Sequence, residues 1–260
     1  PMQADAMVAA GLQVTTEQLA MACASHSGEP RHLATVRALL ATADLTEGDL
    51  ANTVSRPYGA AARSTLRAEG VPPSSLQQNC SGKHAAFLAA SVGAGWSTHD
   101  YLEPEHPLQK LIVDVLEEFA GEKVLQTTKN GCGAPLHALS VEGLARATGK
   151  FSLEETEIAA GLKANGWAIG DREAADSLML DAGLVAKVGA EGVYVVGTAD
   201  GHGLAIKVAD GSMRAMAAVA VAILAKHELI SADVAAELTA KVSPRVLGGG
   251  NDVGRLDVMI

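Results

Sequence analysis

The sequence predicts an α+β protein in which helices flank an antiparallel-rich sheet. Three observations carry that expectation. Apolar residues recur at three-to-four spacing over the first two thirds of the 260-residue chain. In the last third, short apolar runs punctuated by Asp-Gly pairs replace them. No internal repeat, low-complexity tract or linker divides the sequence, so one domain spanning residues 1–260 is expected.

Helices are expected over Met2–Ala10, Arg31–Ala43, Tyr58–Glu69, Gly82–Val92, Pro107–Ala120, Glu154–Asn165 and Arg172–Leu180. In the fifth of these, Leu108, Ile112 and Leu116 with Leu111, Val115 and Phe119 form one apolar stripe. Gly70, Gly93, Gly121, Gly149, Gly166 and Gly183 sit where left-handed residues end helices. Leu184–Val188, Val193–Gly197 and Leu204–Ala209 read as short strands, with Asp200-Gly201 supplying a hairpin turn. A helix over Ala215–Lys226 follows, and after Gly248-Gly249-Gly250 a final strand is expected near Val253–Val258. The first residue is a proline that suits the opening turn of a helix, and further residues are expected to precede it.

Composition narrows the function. Apolar residues make up 48% of the chain and aromatic residues 3%, so Ala, Val and Leu fill the core and helices approach closely. The net charge of -10 comes with no basic stripe, which argues against a nucleic-acid partner. The apolar run Met213–Lys226 is too short to span a bilayer, so no membrane association is expected. Three cysteines are too few for a disulfide framework and point to a reducing, cytoplasmic setting.

Four non-periodic segments could carry chemistry. Cys23-Ala24-Ser25-His26-Ser27-Gly28-Glu29 places hydroxyls, an imidazole and a carboxylate after an apolar run, as a pocket edge does. Its plainer reading is a helix start capped by Ser27. Asn79-Cys80-Ser81-Gly82-Lys83-His84 brings a thiol and polar donors to a helix N-terminus, which lowers a thiol's pKa. It lacks the upstream glycine of a phosphate loop. Asn130-Gly131-Cys132-Gly133-Ala134-Pro135 is a sharp turn around a second thiol. Two cysteines in separate turns could meet as zinc ligands, or each could be a small buried hydrophobe. Lys187 interrupts an apolar strand, a costly position unless the amine is paired, functional or at a solvent-facing edge.

Taken in order, these phrases together with Lys187-Val188-Gly189-Ala190-Glu191-Gly192-Val193 resemble the rhizobial-type L-asparaginases of the asparaginase II family, over nearly the whole chain. The resemblance implies a serine β-lactamase-like fold, a homodimer and hydrolysis of the small molecule L-asparagine to L-aspartate and ammonia. It implies zinc held by Cys80, Lys83 and Cys132, with Ser25 and Lys187 as a catalytic serine–lysine pair. His26, His84 and Asn130 lie in the same phrases and are expected to contact substrate. The family's nucleophile belongs to a Ser-x-x-Lys motif ahead of a Lys-Pro-x-Gln phrase, whose end matches Pro1-Met2-Gln3, so that motif is expected upstream of Pro1. Asn130 stands where the family commonly has Asp, which removes a carboxylate beside the metal cysteines. Two alternatives stay open: a β-lactamase-like hydrolase, and a truncated, non-catalytic zinc-binding dimer.

Overall fold

A computed structural model describes residues 1–153 and 156–260. The helical first part begins with α1 (Met2–Ala9), α2 (Thr16–Ala22), α3 (Pro30–Ala41) and α4 (Ala60–Ala68). It continues with α5 (Ser81–Gly93) and α6 (Pro107–Ala120). Local chemistry sets several of these boundaries. Thr15 and Gln18 form a reciprocal capping box at the start of α2. His106 accepts the Leu108 N–H at the start of α6, Pro107 takes the first helical position, and Gly121 closes the helix with a left-handed φ of 64°.

A hairpin of β1 (Gln126–Lys129) and β2 (Pro135–Ala138) leads to α7 (Val141–Leu153), α8 (Glu157–Ala164) and α9 (Ala175–Asp181). The first two residues of the helix expected at Glu154–Asn165 lie outside the described residues. Then come β3 (Val185–Gly189), β4 (Val193–Gly197) and β5 (Gly203–Lys207), an antiparallel sheet in that order. The chain continues through α10 (Met216–Lys226) and α11 (Ala232–Val242) to the hairpin of β6 (Arg245–Gly248) and β7 (Asn251–Arg255). The α+β expectation therefore holds, with short antiparallel sheets among many helices. None of the described helices is long and apolar enough to cross a membrane.

The core forms two apolar clusters. The larger joins the helices of the first half and includes Val185 of β3. The smaller contains Ala186, Tyr194 and Val196 of the sheet with Met216, Ala220 and Val221 of α10. Successive strand residues face opposite ways, so β3 gives Val185 and Lys187 to one face and Ala186 and Val188 to the other. That alternation aims Lys187 at the helical half.

Three expectations are corrected. Gly149 is not a helix end; it lies inside α7, where an added Cβ would strike the backbone of Gly201 and Gly203. Gly93 is the last residue of α5 itself, whereas Gly166 does follow the end of α8, where it opens a short 3-10 turn. Glu29, not Ser27, is the cap residue of α3, its N–H donating to Nδ1 of His32.

Gly82 plays a similar packing part nearer the pocket. A Cβ there would lie 2.5 Å from the carbonyl oxygen of Met21 in α2, so α5 approaches α2 only with glycine at this position. Gly82→Ala should lower stability by about 1–3 kcal/mol, despite a helix-propensity gain of about 1 kcal/mol. Urea denaturation reads the change, and a stabilised variant would contradict the close approach.

Candidate active site

After α2 the chain leaves the helix, and two backbone bonds fix its path. The Ser25 N–H donates to Ile169 O (3.1 Å) and the His26 N–H to Asn79 O (3.0 Å). Ser25 is thereby held, half-buried, opposite the edge strand β3. Lys187 Nζ donates to Ser25 Oγ at 2.8 Å and to Val188 O at 2.8 Å. Its third direction faces Asp176 Oδ2 at 3.7 Å, in a pair whose side chains are 15% and 6% exposed. The same Asp176 oxygen accepts the edge N–H of Val188 at 2.9 Å. A pair this buried is costly to break from one side, on the order of 3–5 kcal/mol, because the remaining charge is left without a partner.

The second group gathers at the start of α5. Cys80 is its cap residue and Lys83 follows within the first turn. Cys132 comes from the β1–β2 loop, whose turn is closed by Asn130 N–H to Ala134 O (2.8 Å) and Gly133 N–H to Asn130 O (2.9 Å). Lys83 Nζ lies 3.5 Å from Cys132 Sγ. The Cys132 thiol is shifted downward from its ordinary pKa. A hydrogen bond from Cys80 lowers its pKa most, burial opposes the drop, and His84 and Lys83 add to it. Cys80 shifts upward, because the Cys132 sulfur beside it favours its protonated form and because it is buried.

One pocket of about 530 Å³ is lined by Ser25, Lys187, Cys80, Lys83, Cys132 and Asn130 together. Six residues singled out in sequence thus share one wall-to-wall space. The two histidines do not line it. His26 and His84 are both fully buried behind it. His84 Nδ1 meets the Tyr101 hydroxyl at 3.0 Å, and its Nε2 makes no hydrogen bond. His26 Nε2 meets Ser81 Oγ at 2.8 Å, and Ser81 donates onward to Leu76 O at 2.7 Å. His26 Nε2 is therefore the donor, which leaves Nδ1 as an unpaired buried acceptor. Its ring stacks on His32, and His32 on Trp167.

Sequence reasoning missed Asp176 and Tyr194. Tyr194 lies across the sheet with its hydroxyl beside Asp176, whose charge, after burial, raises its pKa. Asp176 sits in the first turn of α9, where an acidic residue is common, so its sequence carried no signal of its burial. Among the described residues, no group of three or more His, Cys, Asp or Glu is placed to hold a metal ion. The two thiols reach three donors only with the amine of Lys83.

With the geometry in place, the comparisons decide the family. A family model described as L-asparaginase II matches residues 1–258. The chain belongs to the L-asparaginase II family. No curated protein matches it. Membership supports an amidohydrolase acting on a small-molecule substrate.

The buried histidine behind that pocket generates a pH prediction. Burial first, and His32 second, lower the His26 pKa from 6.5 to about 3. An unfolded chain takes up this proton near 6.5 while the folded chain does not until about 3, so stability falls as pH drops through that window and is constant above it. The loss is on the order of a few kcal/mol. His26→Gln should flatten this part of the stability–pH curve, measured by denaturant unfolding between those limits; an unchanged slope would contradict the burial of a neutral imidazole.

Proposed function

We propose that the chain hydrolyses L-asparagine to L-aspartate and ammonia by acyl transfer, with Ser25 and Lys187 moving the protons. The observation that carries this reading is the 2.8 Å bond between Lys187 Nζ and Ser25 Oγ at the boundary of the pocket. A serine hydroxyl becomes a nucleophile or a proton relay only when a base can take its proton, and the amine of Lys187 stands at transfer distance. In this reading the primary nucleophile is the serine of a Ser-x-x-Lys motif ahead of Pro1, as the family resemblance implies. Ser25 and Lys187 then pass its proton to the leaving nitrogen and later take a proton from the attacking water. Pro1 and Gln3 line the same pocket, which supports a nucleophile delivered from that side.

Cys80, Lys83 and Cys132 would hold zinc. Two thiols, one of them already favoured as the thiolate, and an amine at one wall match the soft, nitrogen-and-sulfur donor set that zinc takes. Lys83 binds a metal only as its free amine. Bound there, zinc would supply a Lewis acid beside the pocket. The chain's own residues do the rest: Lys187 gives the pocket positive charge for the substrate carboxylate, and Asn130 offers a neutral amide where the family commonly carries Asp. Three unpaired cysteines support a reducing, cytoplasmic setting, and a homodimer is part of the same reading.

Ser25→Ala and Lys187→Met should each lower kcat by about 10²–10⁴-fold in an ammonia-release assay, and the double variant should cost little more than either alone. Full activity in both single variants would sink the proton-transfer roles. Cys132→Ser and Lys83→Ala should lower bound zinc, read by elemental analysis of purified protein. Full zinc content in Lys83→Ala would remove that residue from the ligand set.

A further inference from the structure

A second cavity, of about 470 Å³, touches Ser25 from the side away from the thiols and shares Tyr58 and Val188 with the first pocket. The two spaces differ in charge. Among the described residues, Lys83 and Lys187 are the charged side chains of the thiol-bearing pocket, and no carboxylate lines it. The second cavity is lined by Asp171, Glu173 and Asp176, and by no lysine, arginine or histidine among the described residues. Its wall also holds Tyr194, 1% exposed, whose hydroxyl lies beside Asp176 and has no hydrogen-bond partner. The phenolic O–H can turn toward the carboxylate, which leaves the hydroxyl oxygen's lone pairs for a further donor.

We propose that this cavity binds ammonium, the nitrogen product, and so gives the leaving group a path separate from the carboxylate product. The proposal rests on the acyl-transfer reading above. In that reaction the C–N bond breaks as the acyl ester forms, and the serine's proton passes to the leaving nitrogen. The ammonia released then takes one proton from water. The resulting cation has four donors and one positive charge, which suits Tyr194 Oη and the Asp176 carboxylate with Asp171 and Glu173 beyond them. Nothing in the thiol-bearing pocket offers a carboxylate to hold it; because Lys187 already faces Asp176 at 3.7 Å, the cation sits on the side of Asp171, Glu173 and Tyr194 Oη.

The test follows asparagine turnover by aspartate formation, with ammonium chloride added against equal sodium chloride. Ammonium should inhibit the wild type specifically. Tyr194→Phe and the double variant Asp171→Asn with Glu173→Gln should each weaken that inhibition about fivefold. Tyr194→Phe deletes only an unpaired buried hydroxyl, so it folds. Unchanged inhibition in both variants overturns the proposal. Succinamate, which is asparagine without its α-amino group, separates the two sources of an ammonium group. Variants that weaken asparagine binding but not succinamate binding assign the cavity to the substrate's own ammonium and overturn the product assignment. If no amide is hydrolysed, the proposed reaction fails by itself, and the cavity is tested directly with nitrogen-15-labelled ammonium. Its signal should broaden with wild type and not with Tyr194→Phe, and an unbroadened signal with wild type overturns the proposal.

Discussion

The hydrogen bond from Lys187 to Ser25 joins residues 162 positions apart and ties the sheet to the helical half. It exists because strand alternation turns Lys187 to the same face as Val185, toward the larger apolar cluster. An ammonium facing that way needs partners. It has Ser25 Oγ, Val188 O and the Asp176 carboxylate, and Asp176 also satisfies the edge N–H of β3. The same four groups therefore close the edge of the sheet, seat the strand against the helices and hold Ser25 in place. They also form the wall between two spaces of opposite charge.

The thiol centre depends on a different constraint, the close approach of α5 to α2 at Gly82. That approach places Cys80 and Lys83 near the segment that carries Ser25. Cys80 stands at a helix N-terminus, where a thiolate is favoured, yet the downward shift falls on Cys132 and the upward one on Cys80. The reason is local: Cys132 is favoured in its charged form by Cys80, His84 and Lys83, whereas Cys80 is held in its protonated form by Cys132. Which sulfur carries the charge is set by the neighbours that tertiary structure supplies.

That distinction also marks what was legible in the sequence. Pro107–Ala120 was readable to the residue because its stripe, its proline start and its glycine stop all agree. Val193–Gly197 was readable because its apolar run ends at glycines and turns. The helix Val141–Leu153 was not, since two glycines interrupt it for packing reasons that appear only in the fold: Gly143 lies against Glu122 and Gly149 against Gly201 and Gly203. Ala232–Val242 buries only Leu238, and Gln126–Lys129 is exposed along its whole length, so neither shows a face to read. In the pocket, Ser25, Cys80, Lys83, Cys132, Lys187 and Asn130 were visible because each interrupts a periodic pattern. Asp176 and Tyr194 were not, because a polar residue in a short helix and a tyrosine in a strand look ordinary until burial pairs them.

Charge separation across Ser25 gives the arrangement its chemical sense. Amide hydrolysis starts from a side chain without charge and ends with a carboxylate and an ammonium. Both products are stabilised where opposite charge waits for them, and each would be destabilised in the other's place. A single pocket lined by lysines would bind the carboxylate and hinder the cation; one lined by carboxylates would do the reverse. Two spaces that meet at the hydroxyl held by Lys187 avoid that conflict. Asp176 is the hinge of the scheme. Its carboxylate faces Lys187 at 3.7 Å and also lines the second cavity. Under the proposed acyl transfer the cation forms only when the released ammonia takes a proton from water, and the carboxylates that could hold it line the second cavity and not the first.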